Sequence, residues 1–168
     1  AGRSFQGIPY CWGGFFGVSD TPTEISYGGK FSDKIDTVFS DGTMYMAGNI
    51  QSRTAQGDRQ GHVSKTIGVD CSGFVSSAYG LSRKQSTSDL ISTNNYYAVE
   101  DLKNLKMCDI LVSSTEGHVY LFTGMKDEKT YVVYDCNSNS ETGKVLKREI
   151  TAEHLKNYNY VGRSPWAD

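Results

Sequence analysis

The sequence predicts an α+β domain, and three observations carry that prediction. A stretch of helical period begins at Cys71; the period then changes to short runs rich in Val, Tyr, Ile and Leu; and the length, 168 residues, is about one domain. Helix first and successive strands afterwards keeps the two kinds of element apart along the chain, unlike the alternation of α/β proteins. One domain over residues 1–168 is therefore expected, with an insertion at about 15–66.

Taken in order, residues 1–7 read as the last turn of a helix closed by Gly7, with further sequence expected upstream. Ile8-Pro9-Tyr10-Cys11-Trp12-Gly13-Gly14 fixes aromatic residues behind a proline and ahead of two glycines that permit close backbone approach. Tyr10 is there either a hydrogen-bond donor to a substrate or a packing residue. Residues 15–66 are rich in Gly, Ser, Asp and Thr, with patches such as Val38-Phe39 and Met44-Tyr45-Met46 but little sustained period. So long a stretch is more often functional or inserted than a linker, and it is expected to wall one side of a cleft.

Asp70 then stands as an N-cap, Phe74, Val75, Ala78 and Tyr79 form an apolar stripe, and Gly80 stops the helix. A short helix is expected over 87–93, and 96–102 leads to a turn around Lys103-Asn104. Residues 109–113, 117–125, 130–136 and 144–150 read as strands of an antiparallel meander separated by polar turns. Thr151 caps a short helix through Leu155, and 158–163 form a last strand. Repeats and low-complexity segments are absent.

Net charge of −2 with 21% charged residues supplies no basic field for nucleic acid and no polybasic patch for anionic lipid. The expected partner is a small molecule, peptide or glycan. No apolar run approaches the roughly 18 to 20 residues of a membrane helix, so no membrane insertion is expected, and no signal peptide is recognisable from which to read localisation. Cys11, Cys71, Cys108 and Cys136 stand far apart without C-x-x-C spacing, against a structural zinc site and a dense disulfide framework. Cys11 and Cys108 are expected as core thiols, with one disulfide left open.

Cys71 differs from the others because it falls in the first turn of its helix. Unpaired backbone N–H groups and the positive end of the helix dipole favour thiolate there, as a nucleophile requires. Such a nucleophile needs a base and a group to orient that base. His118 begins a strand whose alternate residues Val119, Leu121 and Thr123 lie on the opposite face, whereas His62 and His154 are expected to face solvent. For the orienting group there are two choices, Asp135 and Asn137, on one face with Tyr131 and Val133; the other reading of Asp135 is a strand-end residue bonding the turn at 137–138.

Pro9-Tyr10-Cys11-Trp12-Gly13-Gly14, Asp70-Cys71-Ser72-Gly73-Phe74-Val75, Met107-Cys108-Asp109-Ile110-Leu111 and Gly117-His118-Val119, in this order, resemble the NlpC-type family of bacterial cell-wall cysteine peptidases. The resemblance runs from about residue 5 to Asp135. It implies a papain-like fold, N-terminal helices packed on a central antiparallel sheet, and hydrolysis of peptidoglycan stem peptides between γ-linked D-glutamate and a diamino acid such as meso-diaminopimelate or lysine. It makes Cys71 the nucleophile, His118 the base and Asp135 the third polar residue, and places Tyr10, Asp70 and Ser72 near the substrate's amino end and the reacting carbonyl. It further implies no cofactor and no metal, action as a monomer, and an extracellular or wall-associated setting.

Three departures stand out. About 50 residues separate Gly14 from Asp70 where the family has a short loop; Cys108 replaces the glycine common before the aspartate of the third motif; and the family's first helix is nearly absent. The competing readings are an N-acetylmuramoyl-L-alanine amidase or an acyl or peptidyl transferase on the same fold, a catalytically silent wall-binding module, and a zinc site of Cys71, His118 and Asp135.

Overall fold

Runs of β-branched and aromatic residues after position 96 form the main sheet. The computed structural model describes residues 8, 10, 14, 16–18, 25–27, 46–47, 66–138 and 143–167. Contacts divide the chain into two units, Ala1–Lys84 with Cys136–Val145, and Gln85–Asp135 with Leu146–Asp168.

The second unit is built on a six-stranded sheet. Its strands are β5 (Tyr97–Val99), β6 (Ile110–Ser113), β7 (His118–Asp127), β8 (Thr130–Cys136), β9 (Val145–Thr151) and β10 (Val161–Ser164), in the order β5-β10-β6-β7-β8-β9. Pairing is antiparallel at β5–β10, β10–β6, β6–β7 and β7–β8. The meander is present from β6 to β9, but the last strand does not extend it. β10 returns to the far side of β6, whose four residues are all buried and so need backbone partners on both edges. β5, read in the sequence as a lead-in to a turn, pairs only with β10; a short edge strand with exposed Tyr97 and Ala98 carries little alternating signal.

The register Ile110↔Leu121 to Ser113↔His118 sets Ile110, Val112, Val119 and Leu121 on one face and Leu111, Tyr120 and Phe122 on the other. β6 and β10 lie near α2 (Thr87–Ile91), which starts at a capping box between Ser86 and Asp89 and buries Leu90. The second set joins Leu105, Tyr131, Val133, Ile150, Leu155 and Tyr160 in the unit's core. Leu155 comes from α3 (Ala152–Asn157), whose N-cap Thr151 accepts a hydrogen bond from His154 N–H, as its sequence predicts. An α+β arrangement is thus what the chain adopts.

In the first unit, α1 (Cys71–Ala78) follows a short core of Tyr10, Val69 and Cys136, with Ile8, Phe74 and Val145 against it. Backbone bonds fix this core: Tyr10 N–H donates to the Gly143 carbonyl at 2.7 Å, Val145 N–H to that of Ile8 at 2.8 Å, and Tyr10 bridges Val69 in parallel. Within the insertion at 15–66, the described residues are the antiparallel pair β1 (Phe16–Val18) and β2 (Ile25–Tyr27), β3 (Met46–Ala47), and Thr66 of β4 (Thr66–Ile67), which runs parallel to β3. The other residues of that insertion, residues 1–7, Cys11, Trp12, Gly13 and His62 lie outside the described residues. Among the described residues, no helix is long and apolar enough to cross a membrane.

Candidate active site

Asp70 adopts extended backbone (φ −93°, ψ −175°) and its side chain caps α1, so Cys71 is the first helical residue. The Asp70 carboxylate is held on several sides. Its Oδ1 accepts from Gly73 N–H at 2.7 Å and from Ser72 Oγ at 3.2 Å, and Oδ2 pairs with the Lys84 ammonium. A cap carboxylate satisfies one orphan N–H but sets negative charge beside the thiol; Lys84 balances that charge. Cys71 itself is half-buried and carries a thiol, as do Cys108 and Cys136. At the other end, Gly80 (φ 65°) and the Leu81 N–H bond to the Ser76 carbonyl close the helix.

Two of the sequence motifs are halves of one contact. The Gly14 carbonyl accepts from Asp70 N–H at 3.2 Å, and a Cβ added to Gly73 would lie 1.8 Å from that same oxygen. Gly73 is therefore required for the first motif to dock on the helix start. Tyr10, 4% exposed, packs in the core beside Val69, and the Cys136 thiol donates to the Val69 carbonyl at 3.3 Å. Asp70, Cys71, Ser72 and Tyr10 thus all belong to the first unit, whereas His118 and Asp135 belong to the second.

In the second unit, His118 opens β7 on the face of Tyr120 and Phe122. Leu121↔Tyr134 and Phe122↔Val133 fix the β7–β8 register, and alternation along β8 puts Tyr131, Val133 and Asp135 on that face. The His118 Nε2 and Asp135 Oδ1 atoms are 2.8 Å apart, and Arg148 of β9 donates from Nη1 to Asp135 Oδ2 at 2.6 Å. Asp135 is 1% exposed. Burial alone would raise its pKa, but the hydrogen bonds and positive charges of His118 and Arg148 outweigh burial and hold it below the ordinary carboxylate range. An ionised carboxylate can only accept, so Nε2 carries the proton and, in the neutral ring, Nδ1 carries the basic lone pair.

The ring is also held from its edge. Tyr120 meets His118 in a T-shaped contact with centroids 4.8 Å apart, and stacks on Tyr160 at 5.0 Å. Burial pushes the hydroxyl pKa values of Tyr120 and Tyr160 upward, so both stay neutral donors. The turn before β7 is tied down as well: Ser113 Oγ donates to the Tyr158 carbonyl at 2.6 Å and accepts from Glu116 N–H at 3.1 Å.

No protein-family model matches the chain, and no curated protein matches it significantly. Among solved structures, the peptidoglycan hydrolase RipB from Mycobacterium tuberculosis aligns with 96% of this chain and 59% of its own at 18% identity and a TM-score of 0.46.

Several placements differ from the sequence reading. His154, expected to face solvent, is half-buried, with its ring 4.6 Å from Tyr158 and Nε2 3.4 Å from the Tyr120 hydroxyl; the aromatic residues that follow α3 cover it. Cys108, expected in the core, is exposed. It takes φ 74° in the tight turn before β6, where Asp109 Oδ2 accepts from Lys106 N–H at 2.7 Å, and a residue at that apex points away from the sheet. Cys136 is buried, as its strand predicts. Of the two residues considered for orienting His118, Asp135 carries the hydrogen bond; Asn137 is half-buried just beyond β8.

Arg148 and Lys84 are the charged partners that sequence reasoning missed. A signal for Arg148 was present: alternation along β9 sets Leu146, Arg148 and Ile150 on one face, and Ile150 is in the core, so a cation there calls for a carboxylate. Lys84, 14 residues from Asp70 and beyond the end of α1, had no local signal. Among the described residues, no group of three or more His, Cys, Asp or Glu side chains gathers as a metal site.

Proposed function

We propose that this chain is a cysteine endopeptidase that hydrolyses peptidoglycan stem peptides at the γ-D-glutamyl to diamino acid bond, through a thioester. The observation that carries the class of chemistry is Cys71 at the first position of a capped helix; the four ordered motifs supply the substrate class. An imidazole already hydrogen-bonded to an ionised carboxylate supports His118 as base.

In the proposed reaction, His118 Nδ1 takes the Cys71 proton and the sulfur adds to the amide carbonyl carbon. Backbone N–H groups at the start of α1 donate to the developing oxyanion. The intermediate collapses by expelling the diamino acid's amine, which takes the proton from the His118 imidazolium, whose charge Asp135 stabilises. Water, deprotonated by His118, then attacks the thioester, releasing the glutamyl carboxylate and the thiol. Tyr10, Asp70 and Ser72 are assigned to the region of the substrate's amino end and the reacting carbonyl on the sequence resemblance, and the setting is the bacterial cell wall or the extracellular space.

Digestion of purified muropeptides followed by mass spectrometry tests this reading. The wild-type chain should release fragments such as L-alanyl-D-glutamate, and Cys71→Ala should lose at least about a thousandfold in rate while still binding the muropeptide. Release of whole stem peptides would instead mark an amidase, and hydrolysis unchanged in Cys71→Ala would end the claim for a cysteine nucleophile.

A further inference from the structure

We propose that Arg148 is a positioning residue for the His118 imidazole, acting through Asp135: its guanidinium fixes the carboxylate orientation in which Oδ1 accepts from His118 Nε2. This rests on the reading of His118 as the catalytic base. β8 lies between β7 and β9, and the two donors reach Asp135 from these two neighbours. With one oxygen bonded to each, the carboxylate plane cannot turn without breaking a charge-assisted bond. The exposures differ in an informative way: Asp135 is 1% exposed, whereas the Arg148 side chain is 47% exposed. A half-exposed arginine bonded to a buried carboxylate adds charge to the interior at low desolvation cost to itself.

The consequence for His118 is a choice of tautomer. Without Arg148, the buried carboxylate loses a cation and a hydrogen bond, and protonation becomes easier. A protonated Asp135 donates to Nε2 rather than accepting from it, and the neutral ring then carries its proton on Nδ1, the nitrogen that must act as base. Arg148 thus keeps Asp135 an acceptor and Nδ1 basic. Of the described groups around the pair, Tyr120 of β7 and Tyr160 ahead of β10 stay neutral, His154 of α3 contacts the Tyr120 hydroxyl, and Glu116 lies in the turn before β7.

The plain alternative is an ion pair that only ties β9 to β8. Heteronuclear NMR of the His118 ring, recorded against pH on the full chain, separates the two, with muropeptide hydrolysis measured in parallel on wild type, Arg148→Met, Arg148→Gln and Arg148→Lys. The proposal expects the neutral variants to shift His118 from the Nε2–H tautomer toward Nδ1–H. It also expects kcat to fall roughly tenfold to a hundredfold with KM within about twofold. Arg148→Lys should restore the tautomer and part of the rate, since it returns the charge without the planar fork. The proposal is overturned if the ring signals and kcat of the neutral variants match wild type and only thermal stability drops. Arg148→Gln, which keeps length and a donor, decides the matter if Arg148→Met does not fold. The ring signals do not depend on turnover, so a tautomer shift combined with active Cys71→Ala would retain the positioning role and remove the proposed function.

Discussion

The helix end that carries Cys71 and the strand corner that carries His118 are assembled in opposite ways. Asp70 reaches Ser72 and Gly73, two and three residues on, so most of the cap forms when the helix forms. The corner joins residues 17 and 13 positions apart on three strands, and it exists only if β7, β8 and β9 are in register. A slip of one residue in β8 would turn Asp135 to the other face and leave His118 and Arg148 facing each other's absent partner. Local assembly tolerates error in the sheet; the corner does not. Where the helix end does depend on more distant chain, it does so through the Lys84 ammonium and, on the backbone, through the Gly14 carbonyl.

That dependence yields the largest expected effect. Gly73→Ala would drive a Cβ against the Gly14 carbonyl, which is main chain and cannot swing aside. A loss of about 3 kcal/mol or more in urea unfolding is expected, with the Asp70 cap disturbed. Gly80→Ala is the control: its φ of 65° strains an alanine, but nothing lies within 4 Å, so about 1 kcal/mol is expected. Equal losses at the two positions would show that conformation, not the docking of the first motif, sets the need for Gly73.

Asp135→Asn comes next and probes the corner. Exchanging the charged acceptor for an amide should cost about 2 kcal/mol at neutral pH, from charge-assisted bonds to His118 and Arg148. Because the folded-state pKa of Asp135 is depressed, the stabilisation is fully present above the unfolded carboxylate value, about 3.9, and is lost as pH falls through the lower folded value. The stability gap between wild type and variant should therefore shrink as pH falls through that range. A gap that persists at the acid end would mean that packing, not ionisation, sets the contribution of Asp135.

The same contrast governs what the sequence reveals. Asp70, Cys71, Gly80 and the cap at Thr151 were legible because their partners lie within one helical turn, where spacing alone states geometry. His118 and Asp135 were legible at one remove, since alternation names a face but not a neighbour. The partner of Arg148 was not, because it depends on which strand lies beside β8, and periodicity does not encode strand order. The return of β10 to β6 was hidden for that reason too. Gly14 signalled close approach, yet only the fold shows that it approaches Gly73. His154 and Cys108 misled in a simpler way: a polar residue on a short helix and a cysteine before a strand carry priors for exposure and burial that the neighbouring aromatics and a left-handed turn override.

Cys108 also gives the smallest expected effect. Its φ of 74° is a conformation that L residues reach at a cost of roughly 1 to 2 kcal/mol and glycine reaches freely. Cys108→Gly keeps the backbone bond from residue 108 to the Phe122 carbonyl and gives up an exposed side chain. Against the relieved strain stands the extra freedom of a glycine in the unfolded chain, roughly 0.5 to 1 kcal/mol. The difference is a gain of about 0.5 kcal/mol, readable as a higher urea midpoint at unchanged slope. Muropeptide turnover should not move, because the turn's bond from Lys106 N–H to Asp109 is untouched and β6 starts where it did. A destabilised Cys108→Gly would mean that the cysteine side chain contributes more to this turn than its strained backbone costs.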